Sequence, residues 1–188
     1  MPRPLLVIIT GLPATGKTTL AWRIAADLKL PFVHKDGIKE LLFDTLGWRD
    51  MEWSQRLGRA STELVYYFAE AEVKAGNSCV LESNFDAALA TPRFLALKEQ
   101  YDVSIVQIVC KADPAVIWQR YQSRWDAGQK HPGHVQHLDT RADSWIHWPQ
   151  GKVAALNLDG DVIELDTTQF DLVDYEALVG KIRDLLQI

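Results

Sequence analysis

The chain has 188 residues, of which 47% are hydrophobic and 24% are charged, and its formal net charge is -5. This length suits one hydrophobic core and is short for two, so we predict a single domain over residues 1–188. The acidic balance disfavours long nucleic acid as a partner, and no apolar run is long enough for a membrane span or signal peptide, so we expect a cytoplasmic protein.

An apolar run at residues 5–9 predicts the first strand, and its continuous hydrophobicity suits a strand buried on both faces of a parallel sheet. A glycine loop follows and leads into a helix. Asp36 and Gly47 suit the start and the end of a later helix, and Pro92 suits a first helical turn. The elements predicted up to residue 100 are helices at 17–30, 36–46, 53–75 and 91–100 and strands at 32–34 and 79–81.

The second half of the chain continues the alternation of strands and helices. Asp113 and Pro114 form a helix start. The predicted elements are strands at 103–109 and 161–165, helices at 114–127 and 174–188, a polar loop at 128–140 and a short helix at 140–148. This alternation predicts an α/β fold with a five-stranded parallel sheet and helices on both faces.

The glycine loop reads G-x-x-x-x-G-K-T over residues 11–18, between a buried strand and a helix, which is the context that a phosphate-binding P-loop requires. Glycines let the backbone bend around phosphate, and successive N–H groups at the helix N-terminus attract it. Lys17 is expected to reach the β- and γ-phosphates of ATP, and the Thr18 hydroxyl to ligate Mg²⁺. The predicted ATP-binding residues of this loop are Gly11, Pro13, Ala14, Thr15, Gly16, Lys17, Thr18 and Thr19.

Two other classes of P-loop protein fit the chain less well. A GTPase would need an N-K-x-D segment, and residues 110–113 have Cys110 in place of the Asn whose amide holds guanine. A D-x-x-G match at residues 44–47 lies within a helical repeat and not at a strand end. Motor ATPases usually carry an acidic pair after a core strand, where this chain has only Glu82. A small phosphotransferase remains the favoured class.

The chain resembles the AAA-type P-loop kinases that include chloramphenicol phosphotransferase, the zeta toxins and the kinase domain of polynucleotide kinase, with gluconate and shikimate kinases more distant. The resemblance covers most of the chain and rests on segments 11–18, 36–39, 82–85, 112–124 and 166–168. It implies a kinase-type lid at about residues 126–142, with ATP and Mg²⁺ as cofactors.

The resemblance also implies roles for residues that follow the second and third strands. Asp36 would orient the acceptor hydroxyl as the catalytic base, although a helix N-cap is the alternative explanation. Glu82 would hold Mg²⁺ or orient the acceptor, and Asn84 would bind the acceptor. Lys39 would also bind it, in place of an Arg that many relatives have; an exposed helix lysine is equally compatible with the pattern.

Arg120 and Arg124 lie four residues apart on one helical face, and the resemblance implies that they are lid arginines that neutralise the transferring phosphoryl group. A surface helix pair is the alternative. Thr167 is expected to contact the nucleotide, and the following loop, with Phe170, to lie against adenine.

Three groups of residues have weaker assignments. His131, His134 and His137 suggest zinc by their spacing, but they lack a fourth ligand, so lid residues are favoured. Cys79 and Cys110 are expected to be buried, reduced thiols. Of the seven tryptophans, packing is expected for Trp22, Trp118 and Trp125, a place near the acceptor for Trp48 and Trp53, and a position after the lid for Trp145 and Trp148.

The sequence therefore predicts a kinase that moves the γ-phosphate of ATP to a hydroxyl group of a small molecule, such as an antibiotic, sugar, nucleoside or metabolite. A nucleotide or polynucleotide kinase is one alternative. A regulatory ATP-binding module that transfers nothing is another. The acceptor is not identified by these motifs, because the shape of its pocket selects it.

Overall fold

A five-stranded parallel sheet forms the centre of the computed structural model, which describes residues 3–134 and 154–187. Each neighbouring pair of strands in this sheet is parallel. The strands are β1 (Leu5–Gly11), β2 (Phe32–His34), β3 (Cys79–Glu82), β4 (Ser104–Lys111) and β5 (Asp161–Asp166), in the spatial order β2-β3-β1-β4-β5. The predicted α/β fold is confirmed.

Helices cover both faces of this sheet. The helices of the described residues are α1 (Lys17–Leu28), α2 (Lys35–Leu46), α3 (Met51–Lys74), α4 (Ala87–Gln100), α5 (Pro114–Asp126) and α6 (Tyr175–Leu186), with short 3₁₀ turns at Pro132–His134 and Phe170–Leu172. None of these helices is both long enough and apolar enough to cross a membrane. The polar loop beyond residue 134 and the short helix expected at 140–148 lie outside the described residues.

Side-chain alternation along β1 explains why its apolar run is continuous. Leu5, Val7 and Ile9 pack on one face of the sheet, against α1 and α6. Leu6 and Ile8 pack on the other face, against α3 and α4. A strand with a hydrophobic layer on each side needs an apolar residue at every position, as its sequence has.

The starts of α4 and α2 differ from the sequence prediction for reasons that the structure shows. Helix α4 begins at Ala87, capped by Asp86, and not at residue 91. Its alanine-rich first turn has high helix propensity, so Pro92 sits inside the helix, where it removes one backbone hydrogen bond. Helix α2 begins at Lys35, and its N-cap is His34, whose Nδ1 accepts from the Gly37 N–H at 3.0 Å.

The cysteines and tryptophans fall into buried and exposed groups. Cys79 and Cys110 are buried free thiols, as predicted, and burial raises the pKa of each to about 12. Packing was expected for Trp22, but it is 58% exposed, and its ring makes T-shaped contacts with Phe32 and His34. Trp118 and Trp125 do pack, in a small cluster with α5 and the P-loop. Trp145 and Trp148 lie outside the described residues.

Candidate active site

Backbone conformation in the loop after β1 makes both of its glycines necessary. Gly16 has a φ of 81°, and a Cβ there would lie 2.9 Å from the ring of Phe170. At Gly11 a Cβ would lie 2.6 Å from the carbonyl oxygen of Cys110. Since any side chain would collide at these two positions, the backbone is left bare where a phosphate group would approach. The loop therefore fits the triphosphate that the motif predicts.

Thr167 supports this loop from behind. Its side chain is fully buried, and Oγ1 lies 2.6 Å from the carbonyl oxygen of Thr15 and 2.8 Å from that of Lys111. The hydroxyl therefore ties the end of β5 to the P-loop and to the end of β4. The hydroxyl holds the loop backbone, and a contact of Thr167 with the nucleotide stays a prediction.

Glu82 joins the P-loop to the third strand. Its Oε2 accepts from the Thr18 hydroxyl at 2.7 Å, and its Oε1 lies 3.5 Å from Lys17 Nζ. The side chains of Glu82 and Lys17 are both at least nine-tenths buried. Hydroxyl and carboxylate oxygens are ligands that Mg²⁺ accepts, so Thr18 and Glu82 fit a magnesium site beside the phosphate loop.

Asp36 lies between two lysines, in a cavity that Lys17 and Glu82 also line. Its Oδ1 is 3.2 Å from Lys35 Nζ, and its Oδ2 is 3.6 Å from Lys130 Nζ. Burial alone would raise the pKa of Asp36, but Lys35, Lys130 and Lys17 overcome this and hold the pKa well below its ordinary value. Because its charged form is so strongly stabilised, the Asp36 carboxylate stays ionised. It is better suited to orienting a hydroxyl group than to removing the proton of that hydroxyl.

The N-cap explanation for Asp36 fails. The cap of α2 is His34, and Asp36 lies in the first helical turn with its carboxylate directed toward lysines. Lys39, one turn further on, is 6% exposed, so it is not a solvent-facing helix lysine. Both side chains line the cavity that also contains Lys17 and Glu82.

This cavity collects residues from four segments of the chain. The predicted site residues that line it are Pro13, Lys17, Asp36, Lys39, Glu82 and Asn84. The sequence analysis missed Lys35, whose Nζ lies 3.4 Å from Asn84 Oδ1. Lys35 directly precedes Asp36 at a strand-to-helix junction, and a positive residue beside a proposed catalytic carboxylate was the signal available.

The two predicted lid arginines do not line the cavity. Arg120 Nη2 donates to the carbonyl oxygens of Thr167 and Thr168, at 2.9 and 3.1 Å. Arg120 therefore braces the loop behind the P-loop. Arg124 is close enough to Lys130 to lower the pKa of that lysine further, after the larger effect of burial. A direct contact of either arginine with the phosphoryl group stays a prediction.

Residues 130–134, which belong to the described part of the predicted lid, dock onto α2. His134 Nε2 lies 2.8 Å from Glu40 Oε1, and His131 Nε2 lies 3.1 Å from Asp44 Oδ1. Lys130 also forms an ion pair with Asp36. Three basic residues thus contact three carboxylates of α2, Asp36, Glu40 and Asp44, which recur every fourth residue. This spacing of acids was visible in the sequence, but their partners were not. His137 lies outside the described residues.

Known proteins support the kinase-type architecture. A family model described as "AAA domain" matches residues 6–143. A candidate kinase from Chloroflexus aurantiacus J-10-fl superposes with a TM-score of 0.88 at 38% identity, covering 97% of this chain and 98% of that one. None of the curated proteins matches the chain.

More distant solved structures share the fold. A sugar kinase from Janibacter sp. HTCC2649 has a TM-score of 0.58 at 19% identity and covers 100% of this chain and 96% of its own. The APS kinase of Mycobacterium tuberculosis, in complex with AMPPNP and APS, has a TM-score of 0.62 at 12% identity, with both chains fully covered. At these identities the likeness is one of fold: the architecture is that of P-loop kinases.

Proposed function

The chain belongs to the AAA domain family and has the fold of P-loop kinases, and from this premise we propose that it moves the γ-phosphate of ATP to a hydroxyl group of a small molecule. The observation that carries the proposal is one cavity that contains both Lys17 of the P-loop and the carboxylate of Asp36. The phosphate donor and the group that orients the acceptor would meet there.

Each residue would have a distinct part in the transfer. Asp36 would orient the acceptor hydroxyl while a bond forms between the hydroxyl oxygen and the γ-phosphorus. The bond from that phosphorus to ADP breaks, and the hydroxyl proton passes to water. Lys17, Lys35 and Lys130 would offset the negative charge of the phosphoryl oxygens. Mg²⁺ held by Thr18 and Glu82 would neutralise the phosphates further.

Replacing Asp36 by Asn tests this proposal. The Asn side chain keeps the size but loses the charge that orients the hydroxyl, so we expect kcat for phosphate transfer to fall by about 10²–10⁴-fold. Titration with ATP should give a Kd within about twofold of the parent, because Asp36 lies on the acceptor side. An acceptor is identified first, by measuring ADP release from purified protein across a panel of hydroxyl compounds. The kcat of the variant is then measured with that acceptor.

Asp161→Asn is the matched control, since Asp161 is an exposed carboxylate at the start of β5, away from the cavity. It should leave both kcat and ATP affinity unchanged. Full phosphotransfer by the Asp36→Asn variant would refute the role of Asp36. ADP release that no compound stimulates would point to hydrolysis, and ATP binding without any ADP release would favour a regulatory module.

A further inference from the structure

A second cavity continues from the first, between α2 and α3. The two share Lys35, Lys39, Ser83 and Asn84, so a molecule could extend from one into the other. The second cavity has a volume of about 330 Å³, within the size range of small-molecule sites. It lies on the side of Asp36 away from the P-loop, where an acceptor would enter.

Lys39 is buried in these cavities without a counter-ion. The other three lysines of the first cavity are each paired, Lys17 with Glu82 and both Lys35 and Lys130 with Asp36. Among the described residues, Lys39 has no hydrogen bond or ion pair, and its Nζ contacts only the face of the Phe43 ring, 5.2 Å from the centroid.

An unpaired buried charge is costly, and the attraction of Asp36 and Glu40 offsets only part of that cost for Lys39. Burial, and next the neighbouring Lys35, lower the pKa of Lys39 to about 8. The amine nevertheless keeps its proton at neutral pH. On α3, Gly58 faces it, and even a Cβ at that position would come within 3.6 Å of Nζ, so the absence of a side chain leaves the amine open to the cavity.

The remaining charges around the second cavity are mostly positive. Lys35 and Arg59 line it together with Lys39, and Asp86 is the acidic residue among the lining side chains that the structure describes. The Asp86 carboxylate already accepts the N–H of Ala88 at the start of α4. Because Lys35 is paired with Asp36, Lys39 and Arg59 are the cations that face the cavity beside Asp86, and their excess of positive charge favours an anionic ligand.

We propose that the acceptor is a compact hydroxy compound with a carboxylate or phosphate group, and that this anion binds between α2 and α3 on Lys39, flanked by Arg59. The proposal rests on the proposed kinase function and names its substrate class. Lys39 and Asp36 are three residues apart on one helix, about 4.5 Å along the axis, so the anion and the reacting hydroxyl lie only a few bonds apart. Hydroxy acids and sugar phosphates have this arrangement.

Paired acceptors test the substrate class. ADP release is measured with a sugar acid against its neutral parent sugar, and with a sugar phosphate against the same sugar. We expect the anionic member of at least one pair to stimulate release at least tenfold more than the neutral one. The pair that responds distinguishes a carboxylate from a phosphate. Equal stimulation by both members of both pairs would overturn the anion assignment and leave the kinase function intact.

Lys39→Met keeps the length of the side chain and removes its charge. We expect this variant to raise KM for the anionic acceptor at least tenfold without changing KM for ATP. Lys74→Met, at the exposed end of α3, is the control for loss of one lysine charge and should leave both constants unchanged. An unchanged acceptor KM in the Lys39→Met protein would overturn the proposal.

A binding measurement separates the two proposals. Inorganic phosphate is titrated into protein saturated with a non-hydrolysable ATP analogue, so that the P-loop is already filled. We expect the Lys39→Met protein to bind this phosphate at least tenfold more weakly than the parent, and equal binding would overturn the anion site. Phosphate binding that depends on Lys39, combined with no transfer to any compound, would instead refute the kinase function and with it the acceptor assignment.

Discussion

Gly37 makes room for His34 to cap α2, the helix that carries Asp36. A Cβ at residue 37 would lie 2.4 Å from His34 Nε2 and 2.5 Å from Cε1, so the imidazole could not stay over the first turn of the helix. The hydrogen bond from the Gly37 N–H to His34 Nδ1 would then be lost. One absent side chain thus sets the start of the helix that carries both Asp36 and Lys39.

Gly37→Ala should therefore destabilise the protein, although alanine is the better helix former. Loss of the cap and crowding of the imidazole together predict a decrease of about 1–3 kcal/mol in the free energy of unfolding, measured by urea denaturation. Gly180→Ala in α6 is the matched control. No atom outside its own helix lies within 4 Å of a Cβ at residue 180, so we expect this variant to be about 0.5–1 kcal/mol more stable than the parent. A gain in stability at both positions would contradict the capping argument.

At the scale of elements, the contact between α2 and residues 130–134 should respond to pH. Burial lowers the pKa of His134 below its ordinary value of 6.5, more than its hydrogen bond with Glu40 raises it. Neutral His134 donates from Nε2 to the Glu40 carboxylate, and this hydrogen bond lowers the pKa of Glu40. Asp36, Lys130 and Lys39 are the other charged groups that affect His134.

The direction of the pH effect follows from these shifts. Below about pH 6.5 the unfolded chain takes up a proton at residue 134 before the folded chain does, so stability falls as pH falls. The Glu40 contribution is present above its ordinary pKa of 4.5 and is lost at lower pH, as the carboxylate is protonated through its folded-state pKa. His134→Gln keeps a donor for Glu40 but does not titrate. Its thermal stability should decline less between pH 7.5 and 5.5 than that of the parent, and equal declines would rule out His134 as the source.

Local patterns predicted the elements and the P-loop because their causes lie within a few residues. The apolar run of β1 and the positions of Lys17 and Thr18 follow from adjacent sequence. Contacts over long distances in the chain were not predictable in this way. Arg120 and Arg124 were correctly placed on a helix, but the carbonyl groups that Arg120 binds belong to a loop 47 and 48 residues away. Helical periodicity shows which residues share one face of a helix, but it does not show which other segment that face contacts.

At the scale of the whole molecule, one buried side chain connects the centre of the sheet to the segment that leads into β5. Gln107 is fully buried in β4, and its Nε2 donates to the Leu156 carbonyl oxygen at 3.0 Å. The Leu156 N–H donates in turn to Gln107 Oε1 at 2.7 Å. The amide thus reproduces the pairing of a strand neighbour, and it holds Leu156 in the hydrophobic layer under α3 and α4.

Gln107→Leu should test how far the fold depends on this connection. Leucine has a similar volume, but it would leave the Leu156 N–H buried without a partner, at about 1–3 kcal/mol, while the Leu156 carbonyl oxygen keeps its hydrogen bond from the Leu158 N–H. We expect urea denaturation to show a loss of about 1–3 kcal/mol in the free energy of unfolding. Ile108→Val, at the next position of β4, should cost only about 0.5–1.5 kcal/mol, because it removes one buried methyl group and no hydrogen bond. If the leucine variant were as stable as the parent, the hydrogen bond of the Leu156 N–H to Gln107 would contribute nothing to stability, and apolar packing would hold the segment before β5.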